Sequence, residues 1–590
     1  MNPRTALPAG VAAAAALGLA VLPTAGFPAF YDSFLYMLFF WISLATSWAI
    51  LSGFAGYFSF GHAAFFGAGM YTTANLATKF EVPLLATLPV AAAVAAALGV
   101  AIGAVVFRLK RLRGELFALL TLAVTFIVAT VILNTPIDGG GGVFLSGVPV
   151  PKLLPSQSGT IYLLGLVLCV ATVAITRWVW GSRLGMGLAA IHDDEDVAEV
   201  KGVPTCRYKL TALALSSGIA GAVGGVHAVY VGFLTVGETF GITVPLYVVL
   251  MSVLGGARHW LGPAVGAVAI GASLYAFTGG EMAMVGRAIV AFALIVAILA
   301  LPEGVVPAVQ AWLKRQRGTR PAAVAADPPA AVEIDDPPAP VAAPGPDAPV
   351  ALAVRGASKS FGGLRALNDV TLDVREGEIL GLVGPNGSGK TTLINVVTGH
   401  FPLTAGSIQV AGTEIGAAPA HAIARLGVAR TYQIPRPFAH MTVLDNVALS
   451  ATFGREAFGL EAARREAMTW LDFTGLRARA AALPAELNLH ERKFLEFARA
   501  LAARPKLLLL DEVLSGLNPS EVDRAVALIR RIRARGATIV FVEHLMRAVV
   551  ELSDRVAVLN EGALFALGAP REVMSDPRVV AVYLGKSYGA

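Results

Sequence analysis

The chain has 590 residues, of which 56% are hydrophobic and only 15% charged, with a mean hydropathy of +0.67. Soluble globular proteins carry about 25% charged residues, so this composition excludes a purely soluble enzyme, and the two cysteines, Cys169 and Cys206, exclude a disulfide scaffold and a cysteine-rich zinc cluster. The formal charge of +6 does not indicate nucleic-acid binding, because surplus Lys and Arg in a membrane protein usually flank the cytoplasmic ends of its spans.

Long apolar stretches without Asp, Glu, Lys or Arg recur up to about residue 301. A bilayer core needs about 20 apolar residues in a helix, and fewer where a helix is broken or re-entrant. Together with Gly61–Thr78, which is rich in small residues, these stretches predict about ten spans. The nine uncharged stretches are Leu7–Phe27, Phe34–Leu51, Val82–Phe107, Leu116–Asn134, Ile161–Ile175, Leu210–Leu234, Ile242–Leu254, Leu261–Phe277 and Ala288–Leu301.

Three clusters of basic residues predict the orientation of the spans. With ten spans, all three clusters and the N-terminus lie on the cytoplasmic side of the membrane. Leu7–Phe27 also fits a signal peptide, whose removal would leave an odd number of spans. The clusters are Arg108, Lys110, Arg111 and Arg113; then Arg177, Arg183, Lys201, Arg207 and Lys209; and finally Lys314, Arg315, Arg317 and Arg320.

The composition changes twice after the last apolar stretch. Pro321–Val350 holds nine of the 34 prolines and few large apolar groups, so it predicts a semi-extended linker. From Ala351, strand, turn and helix patterns alternate with ordinary charge density, which favours an α/β domain with a largely parallel core sheet. The predicted organisation is a helical membrane domain over residues 1–317, a Pro/Ala-rich linker over 318–350 and the α/β domain over 351–590.

The strongest motif of the chain is GPNGSGKT, Gly384–Thr391, which lies between the predicted strand Glu378–Gly384 and the predicted helix Lys390–Thr398. This is the pattern of a phosphate-binding loop. Its glycines let backbone amides surround phosphate oxygens, Lys390 adds a positive charge toward the outer phosphates, and the Thr391 hydroxyl can ligate Mg²⁺. The following helix directs its positive end at the same anion.

A second motif, LLLLDE over Leu507–Glu512, predicts a buried strand that ends in two acids. Asp511 can help to hold Mg²⁺, and Glu512 can polarise an attacking water. The string is weak alone, since apolar strands often end in acids. The phosphate loop upstream in the same domain makes it strong. Thr538–Glu543 predicts a further short strand.

With these motifs, residues 351–590 resemble the nucleotide-binding domain of ABC transporters, and most closely the ATPases of branched-chain amino acid importers. Phe361 in KSFGG matches the aromatic residue that stacks on adenine, and Gln433 in ARTYQ the glutamine that touches Mg²⁺ and senses the membrane domain. Ser515–Glu521 matches the loop that communicates across the dimer, and His544 the switch histidine at the γ-phosphate.

The resemblance implies a complete ATP and magnesium site on this chain. Glu512 and His544 are the implied catalytic residues. Thr391, Gln433 and Asp511 are the implied magnesium ligands. The implied ATP-binding residues are Phe361, Gly384, Pro385, Asn386, Gly387, Ser388, Gly389, Lys390, Thr391, Thr392 and Gln433.

The signature segment departs from the family pattern. Where the family has LSGGQ or a close variant, this chain has Leu487, Asn488, Leu489, His490 and Glu491. In the family pattern this segment approaches ATP held by the partner subunit. Asn488 can still cap the following helix and donate a hydrogen bond. His490 places a side chain where a glycine is expected, so the variant is either tolerated or weakens one half-site.

The membrane half is similar to the permease subunits of the same importers. Matching blocks are Leu51–Ala74, Ser182–Lys209, Val253–Ala267 and Ala300–Val305. The second of these resembles the cytoplasmic coupling segment that seats in an ATPase groove. By contrast, His62 and His227 lie in apolar stretches and are interpreted as packing histidines.

Together the two resemblances imply a permease and an ATPase of a branched-chain amino acid type importer fused in one chain. They imply ATP and Mg²⁺ as cofactors. As partners they imply a second permease, a second ATPase, an extracytoplasmic solute-binding protein and membrane lipid, with no nucleic acid. The alternatives are import of urea, short amides or aromatic acids, or a regulatory membrane ATPase without transport. An ABC exporter is disfavoured, because the apolar stretches are too many and too short.

Overall fold

The structure, a computed structural model, describes residues 14–24, 28–109, 114–138, 140–276, 288, 292, 295–296, 299–316 and 342–584. The chain divides into two compact units. Met1–His192 and Thr205–Arg320 form the first, which we call the helical unit. Asp193–Pro204 and Pro321–Ala590 form the second, which we call the α/β unit. The second unit therefore includes a short insertion from the middle of the helical part of the chain.

The helical unit consists of long apolar helices and one two-stranded antiparallel ribbon, β1–β2. Small residues allow close packing: a Cβ at Gly69 would lie 2.1 Å from the carbonyl oxygen of Gly221 on a neighbouring helix. The elements are α1 Ala29–Ala55, α2 His62–Lys79, α3 Leu84–Val106, α4 Glu115–Leu133, β1 Val143–Phe144, α5 Gln157–Trp180, α6 Arg183–Val200, α7 Thr205–Val231, β2 Phe233–Leu234, α8 Val236–Thr239, α9 Thr243–Gly255, α10 Gly262–Ala276 and α11 Val305–Gln316.

Among the described residues, six helical segments are long and apolar enough to cross a membrane, so the predicted count of ten is not confirmed. About half of each of two predicted spans, Leu7–Phe27 and Ala288–Leu301, lies outside the described residues, and Ala14–Thr24 is a short apolar helix. Helix α10 has only 15 residues, and α2 is diluted by threonine, asparagine and glycine. The six segments are Phe30–Ala55, Leu84–Val106, Glu115–Leu133, Gln157–Trp180, Thr205–Val231 and Val236–Gly255.

Several predicted features fall on undescribed residues. Lys110, Arg111 and Arg113 of the first basic cluster lie outside the described part of the chain, as do Arg317 and Arg320 of the third. Of the predicted linker, only residues 342–350 are described, and their last residue opens the first strand of the α/β unit.

The α/β unit contains the expected largely parallel core sheet. Only the edge strand β12 is antiparallel to its neighbour. Across the sheet the strands are β12 (Ala563–Gly568), β11 (Arg555–Asn560), β5 (Ile379–Val383), β10 (Thr538–Val542), β9 (Leu507–Asp511) and β8 (Val428–Arg430). Strands β5, β9 and β10 are buried along their whole length, because helices and a second sheet cover both faces. The second sheet, β4-β3-β6-β7, is antiparallel and was not predicted from the sequence.

The bounds of the α/β elements follow the predicted strands and helices to within one residue around the phosphate loop. They are β3 Val350–Phe361, β4 Leu364–Arg375, β5 Ile379–Val383, α12 Lys390–Val397, β6 Ala405–Val410, β7 Thr413–Glu414, α13 Ala420–Arg425, β8 Val428–Arg430, α14 Val443–Phe453, α15 Leu460–Phe473, α16 Leu489–Ala502, β9 Leu507–Asp511, α17 Pro519–Ala534, β10 Thr538–Val542, α18 Met546–Leu552, β11 Arg555–Asn560, β12 Ala563–Gly568, α19 Pro570–Ser575 and α20 Pro577–Leu584.

Helix α6 is broken where the chain passes from one unit to the other. Asp194 has φ −160° and ψ 100°, values of an extended residue inside an otherwise helical run. The Asp194 carboxylate accepts a hydrogen bond from the backbone N–H of Val197 at 3.1 Å, so it starts the second half of the helix. This kink was not predicted from the sequence.

Candidate functional site

The phosphate loop lies between the carboxyl end of β5 and the start of α12. Gly384 has φ +149°, and a Cβ there would lie 2.2 Å from the carbonyl oxygen of Leu559, so the backbone requires glycine. The Lys390 ammonium donates hydrogen bonds to the carbonyl oxygens of Gly384 at 2.7 Å and Pro385 at 2.9 Å. Burial lowers the pKa of Lys390, against the opposing charges of Glu512 and Asp511. The lysine is therefore held over the loop that it is predicted to serve.

One polar atom of the loop has no partner in the described part of the chain. The Ser388 hydroxyl oxygen is buried and makes no hydrogen bond there. A buried hydroxyl without a partner is unfavourable unless a ligand completes it. A phosphate oxygen beside the loop would accept its proton, so the loop fits a phosphorylated ligand. Asn386 and Gly387 are exposed at the tip of the same loop, while Thr391 and Thr392 open α12.

Three predicted residues from separate segments meet next to the loop. Glu512 follows β9 with φ +48°, and its backbone N–H donates to the Val542 carbonyl at 2.9 Å. Its carboxylate accepts a hydrogen bond from the Gln433 side-chain amide at 2.5 Å, and its other oxygen lies 3.0 Å from Nε2 of His544. This arrangement can hold and activate a water molecule, as a general base with an orienting histidine requires.

Asp511 has a partner that sequence reasoning missed. The buried Arg430 guanidinium lies 3.3 Å from the Asp511 carboxylate. Arg430 also donates to the side-chain oxygen of Asn395 at 2.6 Å and lies over the ring of Tyr432 at 4.5 Å. Burial raises the pKa of Asp511, and the charge of Arg430 opposes that rise. The sequence signal for this partner was Arg430 in ARTYQ, a basic residue at the end of a short apolar strand.

Glu543 is a second residue that the sequence did not single out. It is buried at the end of β10, where its carboxylate accepts hydrogen bonds from the backbone N–H groups of Leu514 at 2.7 Å and His544 at 3.2 Å. Burial raises the pKa of Glu543 to about 7, although these two hydrogen bonds oppose the rise. Glu543 thus connects the loop after β9 with His544.

The predicted magnesium ligands form a donor set that suits the ion. Asp511, the exposed Thr391 and Gln433 offer oxygen atoms, and Mg²⁺ is usually bound by one or two carboxylates plus substrate phosphates rather than by a protein cage. Within the described residues, no group of three or more His, Cys, Asp or Glu side chains could hold a metal by itself. The donor chemistry therefore fits an ion that arrives with a nucleotide.

Phe361 lies at the end of β3 and is 42% exposed. Its ring contacts Phe401 edge-on, with centroids 5.1 Å apart, and the Lys359 ammonium lies 5.0 Å from its centroid. One ring supports it while much of its surface stays open, which suits stacking on a purine base.

In the signature segment, Asn488 caps α16. Its side-chain oxygen accepts a hydrogen bond from the Glu491 N–H at 2.8 Å, and the Glu491 carboxylate accepts one from the Asn488 N–H at 2.9 Å. Leu489 is 51% exposed. The His490 ring packs on Phe494, and its Nδ1 lies 3.6 Å from the carboxylate of Glu521 in the first turn of α17. Burial lowers the pKa of His490, and Glu521 opposes this effect.

The Asp193–Pro204 segment contacts the rest of the α/β unit through several side chains, and four of these contacts join a carboxylate to a basic side chain. Asp193 lies 2.6 Å from His440, Asp194 lies 2.5 Å from Arg436, and Glu199 lies 4.0 Å from His421. The fourth pair joins Lys201 and Glu496 at 3.5 Å, and both of these side chains are buried. Burial lowers the pKa of Lys201 to about 8, and the charge of Glu496 opposes this effect.

His62 and His227, the two histidines interpreted as packing residues, both have hydrogen-bond partners in the helical unit. His62 Nε2 lies 3.0 Å from the Ser47 hydroxyl, and His227 Nδ1 lies 3.3 Å from the Tyr36 hydroxyl.

Comparison with known proteins assigns both parts of the chain. Residues 30–301 match the family model for the permease component of the branched-chain amino acid transport system, and residues 367–515 match that for ABC transporters. The chain is 39% identical over 250 residues to BraF, a high-affinity branched-chain amino acid transport ATP-binding protein of Pseudomonas aeruginosa. The match covers 40% of this chain and 98% of BraF. The chain is 38% identical over 251 residues, with the same coverage of 40% and 98%, to LivG of Escherichia coli, which carries the same description.

Solved structures of ATP-binding cassettes also match. The cassette of an ABC transporter in its ADP conformation is 29% identical, with a TM-score of 0.37, and the match covers 40% of this chain and 99% of that one.

Proposed function

Because this chain belongs to the family of branched-chain amino acid ABC transporters, with the permease and ATP-binding components in one polypeptide, we propose that it imports branched-chain amino acids across a bacterial inner membrane. Transport is driven by ATP hydrolysis in the α/β unit. The observation that carries the proposal is the meeting of Gln433, Glu512 and His544 beside a complete phosphate loop. Those residues belong to a chain whose other part matches a permease.

Each residue of the site has a defined task in this proposal. Phe361 stacks on the base, and residues 384–392 surround the phosphates, with Lys390 offsetting their charge. Thr391, Gln433 and Asp511 would hold Mg²⁺, which neutralises charge on the outer phosphates when bound. Glu512 takes a proton from the attacking water, and His544 keeps the Glu512 carboxylate oriented.

The proposal includes partners outside this chain. In the family arrangement two ATPase subunits close on ATP, so the Asn488–His490 segment would serve nucleotide held by a second ATPase. A second permease would complete the transport path, and an extracytoplasmic solute-binding protein would deliver the solute. The Asp193–Pro204 segment, continuous in sequence with the helical unit and bound to the α/β unit, would carry motion from one to the other.

Uptake of labelled leucine, isoleucine and valine into proteoliposomes tests the proposal. The vesicles would contain the full chain, its co-purifying subunits and its binding protein, with urea, a short amide and an aromatic acid as competing solutes. We expect ATP-dependent uptake of the branched-chain amino acids that Glu512→Gln abolishes. Glu461→Gln, an exposed surface change at the start of α15, is the matched control.

Two outcomes would contradict the proposal. ATP-dependent uptake of urea, the amide or the aromatic acid in preference to the branched-chain amino acids would reject the substrate assignment. ATP hydrolysis without uptake of any solute would favour a regulatory membrane ATPase.

A further inference from the structure

A buried cluster of charged residues lies between the Asp193–Pro204 segment and the ATP site within the α/β unit. We call Lys201, Arg430, Glu496, Arg499 and Asp511 the Arg430 cluster, and each of them is at most 5% exposed. It contains three cations and two carboxylates. Glu496 is shared by Lys201 and Arg499, and Asp511 pairs with Arg430. Buried charges are tolerated only when they are paired, so the loss of one partner leaves an unpaired buried charge in this cluster.

Arg430 contacts the ATP site through its side chain. The guanidinium pairs with Asp511, the predicted magnesium ligand, at 3.3 Å. It also donates to Asn395 at 2.6 Å and to the Thr398 hydroxyl at 3.4 Å, both at the end of the helix that follows the phosphate loop. Arg430 therefore holds the carboxylate of β9 against helix α12.

The same residue contacts the Asp193–Pro204 segment through its backbone. The Lys201 ammonium donates a hydrogen bond to the Arg430 carbonyl oxygen at 3.0 Å and forms the 3.5 Å pair with Glu496. Glu496 pairs in turn with the buried Arg499. Lys201 is thus held by Arg430 and Glu496 together, and both the segment and the ATP site are in direct contact with Arg430.

We propose that Arg430 is a positioning residue that couples docking of the Asp193–Pro204 segment to occupation of Asp511 at the ATP site. An Asp511 carboxylate that turns toward a magnesium ion gives up part of its contact with Arg430. The Arg430 guanidinium then shifts, and the Arg430 backbone carbonyl, which accepts the hydrogen bond from Lys201, shifts with it. This inference rests on the proposed ATP site but not on the identity of the transported solute.

The route differs from one through Gln433. The Gln433 amide donates to Glu512 at 2.5 Å, so it reports on the catalytic carboxylate, whereas Arg430 reports on the magnesium-binding one. Two routes can therefore be separated by substitution. Coupling between two sites typically changes the affinity at one site by about fivefold to 150-fold when the other site is occupied. The factor is the same in both directions.

Hydrogen exchange of the full chain with its co-purifying subunits in lipid nanodiscs tests the proposal. All proteins carry Glu512→Gln, so that Mg²⁺-ATP bound at this chain's own site is not hydrolysed. In this parent we expect Mg²⁺-ATP to change the exchange rate of peptides from 193–204 by at least about fivefold, compared with ATP and EDTA. Arg430→Met should abolish that response, and Arg430→Lys should restore part of it.

Arg436→Met is the matched control, because Arg436 contacts the segment through Asp194 but is not part of the Arg430 cluster. It should raise exchange of the segment in every state while keeping the response to Mg²⁺. A full response in Arg430→Met, or equal loss of the response in Arg436→Met, would overturn the proposal.

A reciprocal measurement guards against misfolding of the Arg430 variants. Lys201→Met removes the tether from the other side, and it should change the affinity of the ATP-loaded complex for Mn²⁺, read by electron paramagnetic resonance as a stand-in for Mg²⁺. Thermodynamic reciprocity requires the same factor that Mg²⁺ exerts on docking. An unchanged Mn²⁺ affinity would overturn the proposal. Absence of any ATP binding in the parent would instead reject the proposed function.

Discussion

The buried Glu543 makes the stability of the α/β unit depend on pH. Its pKa is raised from 4.5 to about 7, mainly by burial. Between these two pH values the folded chain holds a proton that the unfolded chain has lost. The contribution of Glu543 to the free energy of unfolding therefore falls as pH rises through this range, and this contribution is constant above about pH 7.

The size of this effect follows from the pKa difference. At 1.36 kcal/mol per pH unit, the difference between 4.5 and about 7 corresponds to about 3 kcal/mol. Glu543→Gln removes the titration but keeps an acceptor for the Leu514 N–H. It loses the 3.2 Å hydrogen bond from the His544 N–H, worth about 1 kcal/mol at every pH. At pH 5 the parent has already lost about 1 kcal/mol of this stabilisation, because the unfolded carboxyl is largely ionised there. The variant should thus be about as stable as the parent at pH 5 and about 2 kcal/mol more stable at pH 8.

Hydrogen exchange of the slowest backbone amides in β10 gives the free energy of the opening reaction that exposes them. It is measured by mass spectrometry on the full chain in detergent micelles. The measurement compares pH 5 with pH 8 after correction for intrinsic exchange. Glu461→Gln is the control for a surface carboxylate. An equal difference between Glu543→Gln and the parent at both pH values would refute the reasoning, because it would mean that Glu543 ionises alike in the folded and unfolded chain.

Three further predictions concern other parts of the molecule. Gly202→Ala should reduce uptake per ATP hydrolysed, because Gly202 has φ +98° and a Cβ there would lie 2.2 Å from the Phe453 carbonyl oxygen. The control is Gly459→Ala, whose added Cβ meets no atom within 4 Å. Equal ratios of uptake to hydrolysis in the two variants would contradict the docking geometry. Hydrolysis should depend more on Glu512 than on the partner ATPase's catalytic glutamate, and His490→Gly should raise the ATPase rate that remains in Glu512→Gln; no gain would mean that the signature variant is silent. An impermeant maleimide should label the exposed Cys206 in inside-out vesicles but not in intact spheroplasts, and labelling of spheroplasts would reverse the predicted orientation.

The phosphate loop and the acids after β9 were predictable from the sequence because their geometry is local. A loop of glycines between a strand and a helix has few alternative conformations, and buried parallel strands are recognisable as continuous apolar runs. The strand predicted at Glu378–Gly384 is Ile379–Val383, and the helix predicted at Lys390–Thr398 is Lys390–Val397. Apolar stretches indicated a polytopic domain for the same reason, although the predicted count of ten spans is not confirmed among the described residues.

The partners of the buried charges were decided only by the tertiary structure. Lys201 and Arg430 are separated by 229 positions in the chain, and Arg430 and Asp511 by 81. No local pattern distinguishes a lysine that pairs inside the protein from one that flanks a membrane span, and Lys201 was predicted as the latter. The pKa of Glu543 likewise depends on burial by elements that are distant in sequence. The sequence by itself determined which chemistry the chain carries, because motifs act through neighbouring residues. The tertiary structure decided how that chemistry connects to the Asp193–Pro204 segment, because desolvation and charge pairing depend on distances in space.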